Sequence, residues 1–302
     1  PVGEGGKGKS RTLNVGLKQA KGEIISVFDA DNTPEPSCLS LLVATLQNDP
    51  DLVAVNSKVR TRTRDSTILT RFINLEFIYF QWLFQGGRWA LFGLSMLMGT
   101  GYVIRRDALE ILGGFDEESL VDDTEMSLRI FRGNRRIRWV PYAVTWEQEP
   151  DTFNIWLKQR IRWTRGNLSV TWKYIPYAVY QPYPLGLEIL TFVFNYVFFV
   201  PTLFISHLTF IFSYFGLIDV TLPGPFIYLW ILAILIFTIH MSLAAFVEEQ
   251  DWTNIIYAFF CYFTYAQLFI LVIILAVFQN ISRKLRRRQF EWIKTVRTSE
   301  DK

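Results

Sequence analysis

Acidic residues at the predicted end of a strand offer a site for a divalent cation. Asp29 and Asp31 follow directly after residues 23–28, a short apolar run rich in β-branched residues. Such a run predicts a buried parallel strand, and ligands bind at the carboxyl edge of parallel sheets. The two carboxylates can reach one ion, and their oxygens suit Mg²⁺ or Mn²⁺ held together with a diphosphate. In the competing interpretation, one aspartate only caps the following helix or turn.

A second acidic pair, Asp122 and Asp123, stands at the start of a predicted helix. The helix dipole favours acidic side chains in a first turn, so a purely structural role is a strong alternative. Gly113 and Gly114 lie shortly before the pair and permit a bend in the backbone. Such a bend can deliver a carboxylate into a cleft at the mouth of the helix, which favours a functional role for the pair.

A third group of polar residues shares one face of a helix predicted to begin near Asp151. Gln159, Arg162 and Trp163 stand at positions i, i+3 and i+4, so their side chains lie on the same face. Arginine binds phosphate oxygens through paired hydrogen bonds, and tryptophan offers a flat apolar surface to a sugar ring. This face therefore suits a diphosphate and a sugar. The alternative is a basic helix that lies along lipid headgroups.

The opening segment Gly3–Ser10 satisfies the P-loop pattern G-x-x-x-x-G-K-[ST]. Backbone amides of a P-loop surround nucleotide phosphates, and its lysine binds the terminal ones. A P-loop follows directly after a strand, whereas only Pro1 and Val2 precede this segment. The match therefore predicts a basic loop near a nucleotide site more readily than an ATPase, and the P-loop ATPase of a membrane transporter stays the third alternative.

The elements that must position these residues alternate between helix and strand. Helical spacing or proline punctuation predicts helices over residues 10–20 and 37–47, and an apolar run predicts a strand over residues 52–55. This alternation is typical of α/β proteins. Residues 71–98 are rich in aromatic side chains, and two interpretations stay open for them: a helical segment close to a bilayer or a buried part of the core.

Composition divides the 302-residue chain into a polar and an apolar part. Half of the residues are hydrophobic, which excludes a disordered chain and is high for a typical soluble enzyme. Between Ile189 and Ser282 there is no lysine or arginine, and the only acidic residues are Asp219, Glu248, Glu249 and Asp251. A basic tail follows. Basic residues beside an apolar segment indicate attraction to anionic lipids, so we expect membrane lipids as partners and no nucleic acid.

The apolar part contains three uncharged runs, at residues 189–218, 220–247 and 252–282. Each is longer than the roughly 20 residues that a helix needs to span a bilayer. Three spans conflict with the positive-inside rule, because the polar half and the basic tail are both expected in the cytosol, which requires an even number of crossings. Three explanations stay open: Pro201 breaks the first run into an interfacial piece and another element, one run does not cross, or the rule does not hold for this chain.

The order and spacing of these motifs resemble a known family. The chain is similar to the processive, membrane-embedded family 2 glycosyltransferases, the group that includes the cellulose, chitin, hyaluronan and poly-N-acetylglucosamine synthases. The resemblance covers roughly residues 3–175 in motifs and the apolar part in architecture. Its motifs are residues 9–17, Asp29-Ala30-Asp31, Gly99-Thr100-Gly101, residues 105–109, residues 113–116, Asp122-Asp123 and Gln159-x-x-Arg162-Trp163.

The resemblance implies a GT-A-type α/β domain, incomplete at its N-terminus, followed by an all-α transmembrane bundle. It implies that Asp31, with Asp29, holds Mg²⁺ or Mn²⁺ and the UDP of the donor, and that Asp123 is the general base. Val121-Asp122 departs from the family's usual residues ahead of that base, which weakens a role for Asp122. The remaining implied roles are donor binding by Gln159, Arg162 and Trp163, and acceptor binding by Gly99, Thr100, Gly101 and Trp163.

The function implied by the resemblance is inverting transfer of a sugar from a UDP-sugar to a growing β-linked polysaccharide, with export of the polymer through an accessory subunit. A non-processive transferase that glycosylates a lipid carrier is the alternative. The family's first nucleotide-binding strand and early aspartate have no counterpart here, so we expect an N-terminally truncated chain. The expected division is a cytosolic glycosyltransferase domain at 1–175, transmembrane and interfacial helices at 176–282 and a cytosolic tail at 283–302, in a multi-pass protein of the cell membrane.

Overall fold

The computed structural model describes residues 8–219 and 226–286, and the polar part of the chain is built on one mixed sheet. In this part of the chain, hydrogen bonds join the strands in the order β1-β4-β3-β5-β2. β3 and β5 are parallel, and the other pairings are antiparallel. The strands are β1 Ile24–Val27, β2 Thr33–Pro34, β3 Leu52–Thr61, β4 Tyr102–Arg105 and β5 Arg136–Glu147.

Strand β1 differs from the sequence-based prediction in its pairing. It was expected to be a buried parallel strand, but it pairs antiparallel with β4, with Ile24 opposite Arg105 and Val27 opposite Tyr102. Only Val27 of the strand is buried. The prediction was wrong because a short β-branched run fits a pleated surface of either strand direction, and the partner is chosen by a distant segment. The end of β1 still leads directly into Asp29 and Asp31.

Helices on the polar part confirm most of the periodicity-based predictions. The helices expected over residues 10–20 and 37–47 are present, and the predicted strand at residues 52–55 extends to Thr61. A π-helical segment, Phe80–Gly87, joins α3 to α4. The helices are α1 Gly8–Gln19, α2 Cys38–Asn48, α3 Ile68–Tyr79, α4 Arg88–Phe92, α5 Arg106–Ile111, α6 Asp122–Arg132 and α7 Phe153–Ala178.

Helix α3 contains the first part of the aromatic segment at residues 71–98, which was predicted to be either close to a bilayer or part of the core. Ile73 and Leu75 are fully buried, so this part is a core element. They belong to an apolar cluster that also contains Trp156 of α7 and residues of the C-terminal helices. A Thr67 capping box begins α3, because the Thr67 side chain accepts from Thr70 N–H and the Thr70 side chain accepts from Thr67 N–H.

Helices α6 and α7 cross at close range near the start of α6. A Cβ atom on Gly166 of α7 would lie 2.5 Å from Val121 Cγ1, so only glycine fits at the crossing. The Thr124 hydroxyl donates to Asn167 Oδ1 at 3.1 Å, one residue beyond that glycine. This contact places the first turn of α6, with Asp122 and Asp123, beside the middle of α7.

In the apolar part of the chain, the described residues form helices joined by short turns. Its helices are α8 Leu187–Val193, α9 Val200–Tyr214, α10 Phe226–Glu249, α11 Thr253–Phe263 and α12 Tyr265–Arg286, with a π-helical segment Phe194–Phe199 between α8 and α9. Two helical stretches are long and apolar enough to cross a membrane by length and composition: Ile231–Glu249 and the 30-residue Thr253–Ser282. The first run predicted from sequence contributes a shorter apolar stretch, Phe204–Tyr214.

The C-terminal helices pack against the polar part. The Trp156 indole N–H of α7 donates to the Tyr265 hydroxyl of α12 at 2.8 Å, in a buried position. Further along the same two helices, Arg165 Nε donates to Asn280 Oδ1 at 3.1 Å. The basic tail from residue 287 onward lies outside the described residues.

Candidate active site

Three carboxylates from two strand ends form a cluster that suits a divalent metal ion. Asp29 and Asp31 follow β1, and Glu147 ends β5. One oxygen from each residue lies within 4.8 Å of the others. Hard carboxylate oxygens are the ligands that Mg²⁺ and Mn²⁺ prefer, so the donor set fits the expected ion. Burial raises the pKa of the Glu147 carboxyl well above its ordinary value, and the negative charges of Glu149 and Asp29 raise it further. A bound cation would relieve the repulsion between these carboxylates.

The end of β3 connects two of these ligands through Arg62. Its backbone N–H donates to the Glu147 carbonyl at 2.8 Å. Its guanidinium donates to the Asp31 carbonyl at 3.3 Å. Because β3 and β5 are paired with Thr61 opposite Glu147, the register of the parallel pair sets where the third carboxylate stands.

Lys9 reaches from helix α1 to the acidic residues. Its ammonium group forms an ion pair with Asp29 Oδ1 at 2.7 Å and donates to the Gly99 carbonyl at 2.6 Å. Burial alone would lower the pKa of Lys9, but the negative charges of Asp122 and Asp29 raise it above its ordinary value. In the sequence, Lys9 belongs to the P-loop-like segment and to the family motif at residues 9–17, but neither pattern assigned it a role at the acidic residues. That segment begins α1 at Gly8, and Gly3 to Lys7 lie outside the described residues.

The loop of Gly99, Thr100 and Gly101 lies between the two acidic pairs. Asp29 N–H donates to the buried Thr100 hydroxyl oxygen at 2.9 Å. A Cβ atom on Gly99 would lie 3.2 Å from Asp123 Oδ2. Both glycines have positive φ, +82° and +65°, which other residues rarely adopt. The loop thus brings the end of β1 to the start of α6, while acceptor binding by these residues stays a proposal.

Asp123 is a half-buried carboxylate in the first turn of α6. Its Oδ1 accepts the Thr124 N–H at 2.8 Å. Burial, reinforced by the charge of Asp122, raises the pKa of Asp123 to about 6. Burial also raises the pKa of Asp122, although Lys9 opposes this shift. A carboxylate whose pKa lies close to neutrality is well matched to accept a proton at physiological pH.

The α7 face predicted from sequence lies beside this acidic centre. Burial lowers the pKa of Arg162 from its ordinary value, while the charges of Asp123, Asp122 and Asp29 raise it. The Arg162 guanidinium therefore lies in the field of both acidic pairs.

Arg160, which the sequence interpretation passed over, orients the other two residues of that face. It is 1% exposed, donates to Gln159 Oε1 at 2.8 Å and lies 4.2 Å from the centroid of the Trp163 ring. It also forms an ion pair with Glu76 at 2.7 Å.

Glu147 is the other residue that sequence reasoning missed. A usable signal was present: Glu147 and Glu149 stand two positions apart at the end of a run with many apolar and aromatic residues, which is the same pattern as Asp29 and Asp31 after β1. Arg136 and Arg138 alternate with the buried Ile137 and Trp139, but Pro141 stands in the middle of β5, and a proline within a run argues against a central strand. The strand was therefore not predicted.

Comparison with known proteins decides the family of this fold and site. The family model described as glycosyl transferase family group 2 matches residues 24–279. The chain belongs to this family. It is 38% identical over 300 residues to the probable glycosyltransferase YdaM of Bacillus subtilis strain 168, covering 98% of this chain and 71% of that protein.

More distant relatives agree with this family. The chain is 26% identical over 164 residues to the poly-β-1,6-N-acetyl-D-glucosamine synthase of Staphylococcus aureus strain COL, covering 54% of this chain and 40% of that protein. The structure of the mannosyltransferase PcManGT from Pyrobaculum calidifontis, in complex with GDP-Man and Mn²⁺, has a TM-score of 0.51 at 20% identity and covers 84% of this chain and 66% of that one. The chain is therefore a family 2 glycosyltransferase with a GT-A-like fold.

Proposed function

We propose that this glycosyltransferase transfers a sugar from a UDP-sugar to the growing end of a β-linked polysaccharide at the membrane, with inversion at the anomeric carbon. The observation that carries the proposal is the convergence of two acidic pairs and one arginine. Asp29 is bound to Lys9 and to the Thr100 loop, that loop contacts Asp123, and Arg162 lies in the field of both pairs.

Asp123 is the proposed general base. A sugar hydroxyl is a poor nucleophile at neutral pH, so a carboxylate must take its proton as the oxygen attacks the anomeric carbon. Asp123 has the raised pKa that this task requires, near 6. The hydroxyl oxygen forms the new glycosidic bond, the bond from the anomeric carbon to the diphosphate breaks, and the proton ends on Asp123. A single displacement of this kind inverts the configuration at the anomeric carbon.

The leaving diphosphate carries negative charge that the site must stabilise. A divalent ion bound by Asp29, Asp31 and Glu147 would neutralise part of this charge. Arg162 contributes a fixed guanidinium from the α7 face, and preorganised charges of this kind are worth more in a site that excludes water. We assign Gln159 to the donor and Trp163 to both the donor and the acceptor sugar. Gly99, Thr100 and Gly101 line the acceptor's end.

The identity of the sugar is proposed from a relative. The Staphylococcus aureus relative is named as a synthase of poly-β-1,6-N-acetyl-D-glucosamine. We therefore propose N-acetylglucosamine as the first sugar to test. The matched residues cover 40% of that protein, so the identity of the polymer is a proposal for this chain.

We further propose that the enzyme is a multi-pass membrane protein with its catalytic part, residues 1–175, in the cytosol. Two helical stretches have the length and composition of membrane spans, and large apolar side chains such as Leu235, Ile239 and Leu243 are exposed along α10. Two crossings would satisfy the even number that a cytosolic tail requires. An accessory subunit for export is compatible with this arrangement.

The test uses membranes that contain the intact protein, offered radiolabelled UDP-N-acetylglucosamine, UDP-glucose and GDP-mannose in separate reactions with Mn²⁺. We expect a ladder of labelled polymer from one UDP-sugar and the release of UDP. A labelled product of one fixed size in the lipid phase would instead identify the non-processive transferase that acts on a lipid carrier. ATP, with Mn²⁺ kept in excess over total nucleotide, should leave the reaction unchanged, whereas competition by ATP under these conditions would revive the P-loop interpretation.

A further inference from the structure

The acidic end of α10 is buried against the catalytic part of the chain. Glu248 and Glu249 are two of the four charged residues between Ile189 and Ser282, and they end the stretch Ile231–Glu249 that has the character of a membrane span. Their side chains are only 4% and 1% exposed. A pair of nearly inaccessible carboxylates at the end of an apolar helix requires partners, because a buried charge without one is strongly unfavourable.

The partners come from strand β3 and the segments that follow it. Glu248 binds Lys58 at 2.8 Å, accepts the Trp82 indole N–H at 2.8 Å and forms an ion pair with Arg60. Glu249 binds further basic and amide groups: Arg60 at 3.0 Å, Arg64 at 2.7 Å, Asn74 at 2.8 Å and Asn254 at 3.1 Å. We name Glu248 and Glu249 with these partners the α10 clamp.

The α10 clamp is connected to the metal-binding carboxylates through two steps of contact. The Arg60 guanidinium, held by both glutamates, lies 5.3 Å from the centroid of the Trp146 ring. Trp146 directly precedes Glu147 and is opposite Arg60 in the β3–β5 pairing. Two residues along β3 from Arg60, Arg62 binds the carbonyls of Glu147 and Asp31. The clamp therefore fixes the adjacent ends of β3 and β5. The end of β5 carries Glu147, and Arg62, directly after β3, binds the Asp31 carbonyl.

We propose that Glu248 and Glu249 are positioning residues for the metal site, so that docking of the α10 end sets the geometry of Asp31 and Glu147. This inference rests on the proposed function, because it takes the three carboxylates to be metal ligands. Residues that orient metal ligands from outside the coordination sphere are often nearly as important as the ligands themselves. The membrane-facing helix and the donor site then act as one unit.

The test measures Mn²⁺ affinity directly, by the electron paramagnetic resonance signal of free Mn²⁺ titrated into the intact protein in detergent. In Glu249→Gln, Arg60 and Arg64 lose a carboxylate partner, and we expect the Kd for Mn²⁺ to rise about tenfold, the lower end of the loss seen when an orienting partner is removed. Addition of UDP should tighten Mn²⁺ binding in both proteins, measured against a titration of UDP and Mn²⁺ without protein, with the difference retained.

Two variants of the same apolar part are matched controls. Asp251→Asn removes the 2.6 Å ion pair with Arg71, which lies 4.0 Å from Glu249, but it leaves the shorter contacts of Glu249 with Arg60 and Arg64 in place. Asp219→Asn removes an exposed carboxylate. Both should bind Mn²⁺ like the unmodified protein, and Asp251→Asn should lower the thermal unfolding temperature. If Asp251→Asn weakened Mn²⁺ binding as much as Glu249→Gln does, the effect would be general destabilisation and the inference would be overturned.

Two further variants keep the inference separate from the proposed function. Glu147→Gln should weaken Mn²⁺ binding; if neither it nor Asp31→Asn did so, the metal site itself would be wrong. If those two variants weakened binding and Glu249→Gln did not, only the positioning role would fail. Should Glu249→Gln not fold, Arg60→Lys decides, because it keeps the positive charge but loses the guanidinium that spans the glutamates and Trp146. Unchanged Mn²⁺ affinity in Arg60→Lys would contradict the inference.

Discussion

At the residue scale, the acidic groups of the site divide into two roles through their surroundings. Asp29 has a direct cationic partner in Lys9, at 2.7 Å, and belongs to the carboxylate cluster of the proposed metal site. Asp123 is half-buried, and desolvation together with the charge of Asp122 raises its pKa to about 6. The Gly99–Gly101 loop therefore connects a carboxylate of the proposed metal site to a proposed proton acceptor.

The first prediction concerns pH. Because the pKa of Asp123 is raised, its carboxyl is protonated below about pH 6 and cannot accept a proton there. We expect kcat/KM to fall as the pH is lowered through about 6, and to level off above it. In Asp122→Asn, the neighbouring charge that helps to raise this pKa is removed, so the fall should move to lower pH. A profile that is flat between pH 5 and 8 would contradict the assignment of Asp123.

The second prediction concerns Glu147 and metal removal. Chelation of divalent ions should abolish turnover, and Mn²⁺ or Mg²⁺ should restore it. In Glu147→Gln, one of three carboxylate ligands becomes a neutral amide, and we expect the Mn²⁺ concentration for half-maximal rate to rise by about tenfold or more. Glu149→Gln is the matched control, since Glu149 stands outside the three-residue cluster, and it should shift this concentration much less. Equal effects of both variants would indicate a site organised differently.

The residues of the site were predictable to different degrees. Asp29, Asp31, Asp123 and Arg162 have types and local spacing that point to chemistry, and the structure places them around one centre. Glu147 becomes a partner of Asp29 only through the parallel register of β3 and β5, a long-range pairing that no local pattern encodes. The contribution of Arg160 depends in the same way on the packing of α3 against α7.

At the element scale, the Gly99–Gly101 loop is the joint between the sheet and α6. Its position depends on glycine at both ends, and its tightest contact is at Gly101, where a Cβ atom would lie 2.1 Å from Ser57 Oγ. The Gly101 carbonyl accepts the Ser57 N–H at 2.7 Å, so the loop cannot move away without losing this hydrogen bond. Thr100, between the two glycines, holds the backbone of Asp29.

The third prediction compares two glycines that share a left-handed conformation. Gly101→Ala adds strain at φ +65° and a steric clash with Ser57, and we expect a loss of about 2–4 kcal/mol in the free energy of unfolding. Gly113→Ala has φ +81° but no atom within 4 Å of the added Cβ, so it should lose only about 1 kcal/mol. Chemical unfolding of both variants measures the difference. A loss in Gly113→Ala as large as in Gly101→Ala would contradict the steric argument.

Element boundaries followed from local signals better than element pairing did. Helices α1, α2, α6 and α7 begin close to the predicted positions because capping, charge and apolar spacing act within a few residues. The parallel pairing predicted for β1 was wrong, since partner choice depends on where β4 returns to the sheet. Strand β5 was missed for a related reason: its basic and aromatic residues pack against other elements, as Arg138 does against Trp89 at 5.2 Å.

At the scale of the whole molecule, the polar and apolar parts are joined by specific contacts. Composition alone separates the chain near Ile189, but an apolar cluster shared by α3, α7, α10, α11 and α12 crosses that division. The few charges of the apolar part are informative: Glu248, Glu249 and Asp251 all bind basic residues of the polar part. The sequence showed that these charges were unusual without showing where they are neutralised.

The measurement that tests the account most directly compares the unmodified protein with Asp123→Asn in membranes, using UDP release for turnover and Mn²⁺-dependent binding of radiolabelled UDP-sugar for donor affinity. Loss of the general base should reduce turnover by about 10²–10⁴-fold, while the carboxylate cluster and Arg162 should keep donor binding unchanged. Normal turnover in Asp123→Asn would contradict the account, and so would loss of donor binding in parallel with turnover.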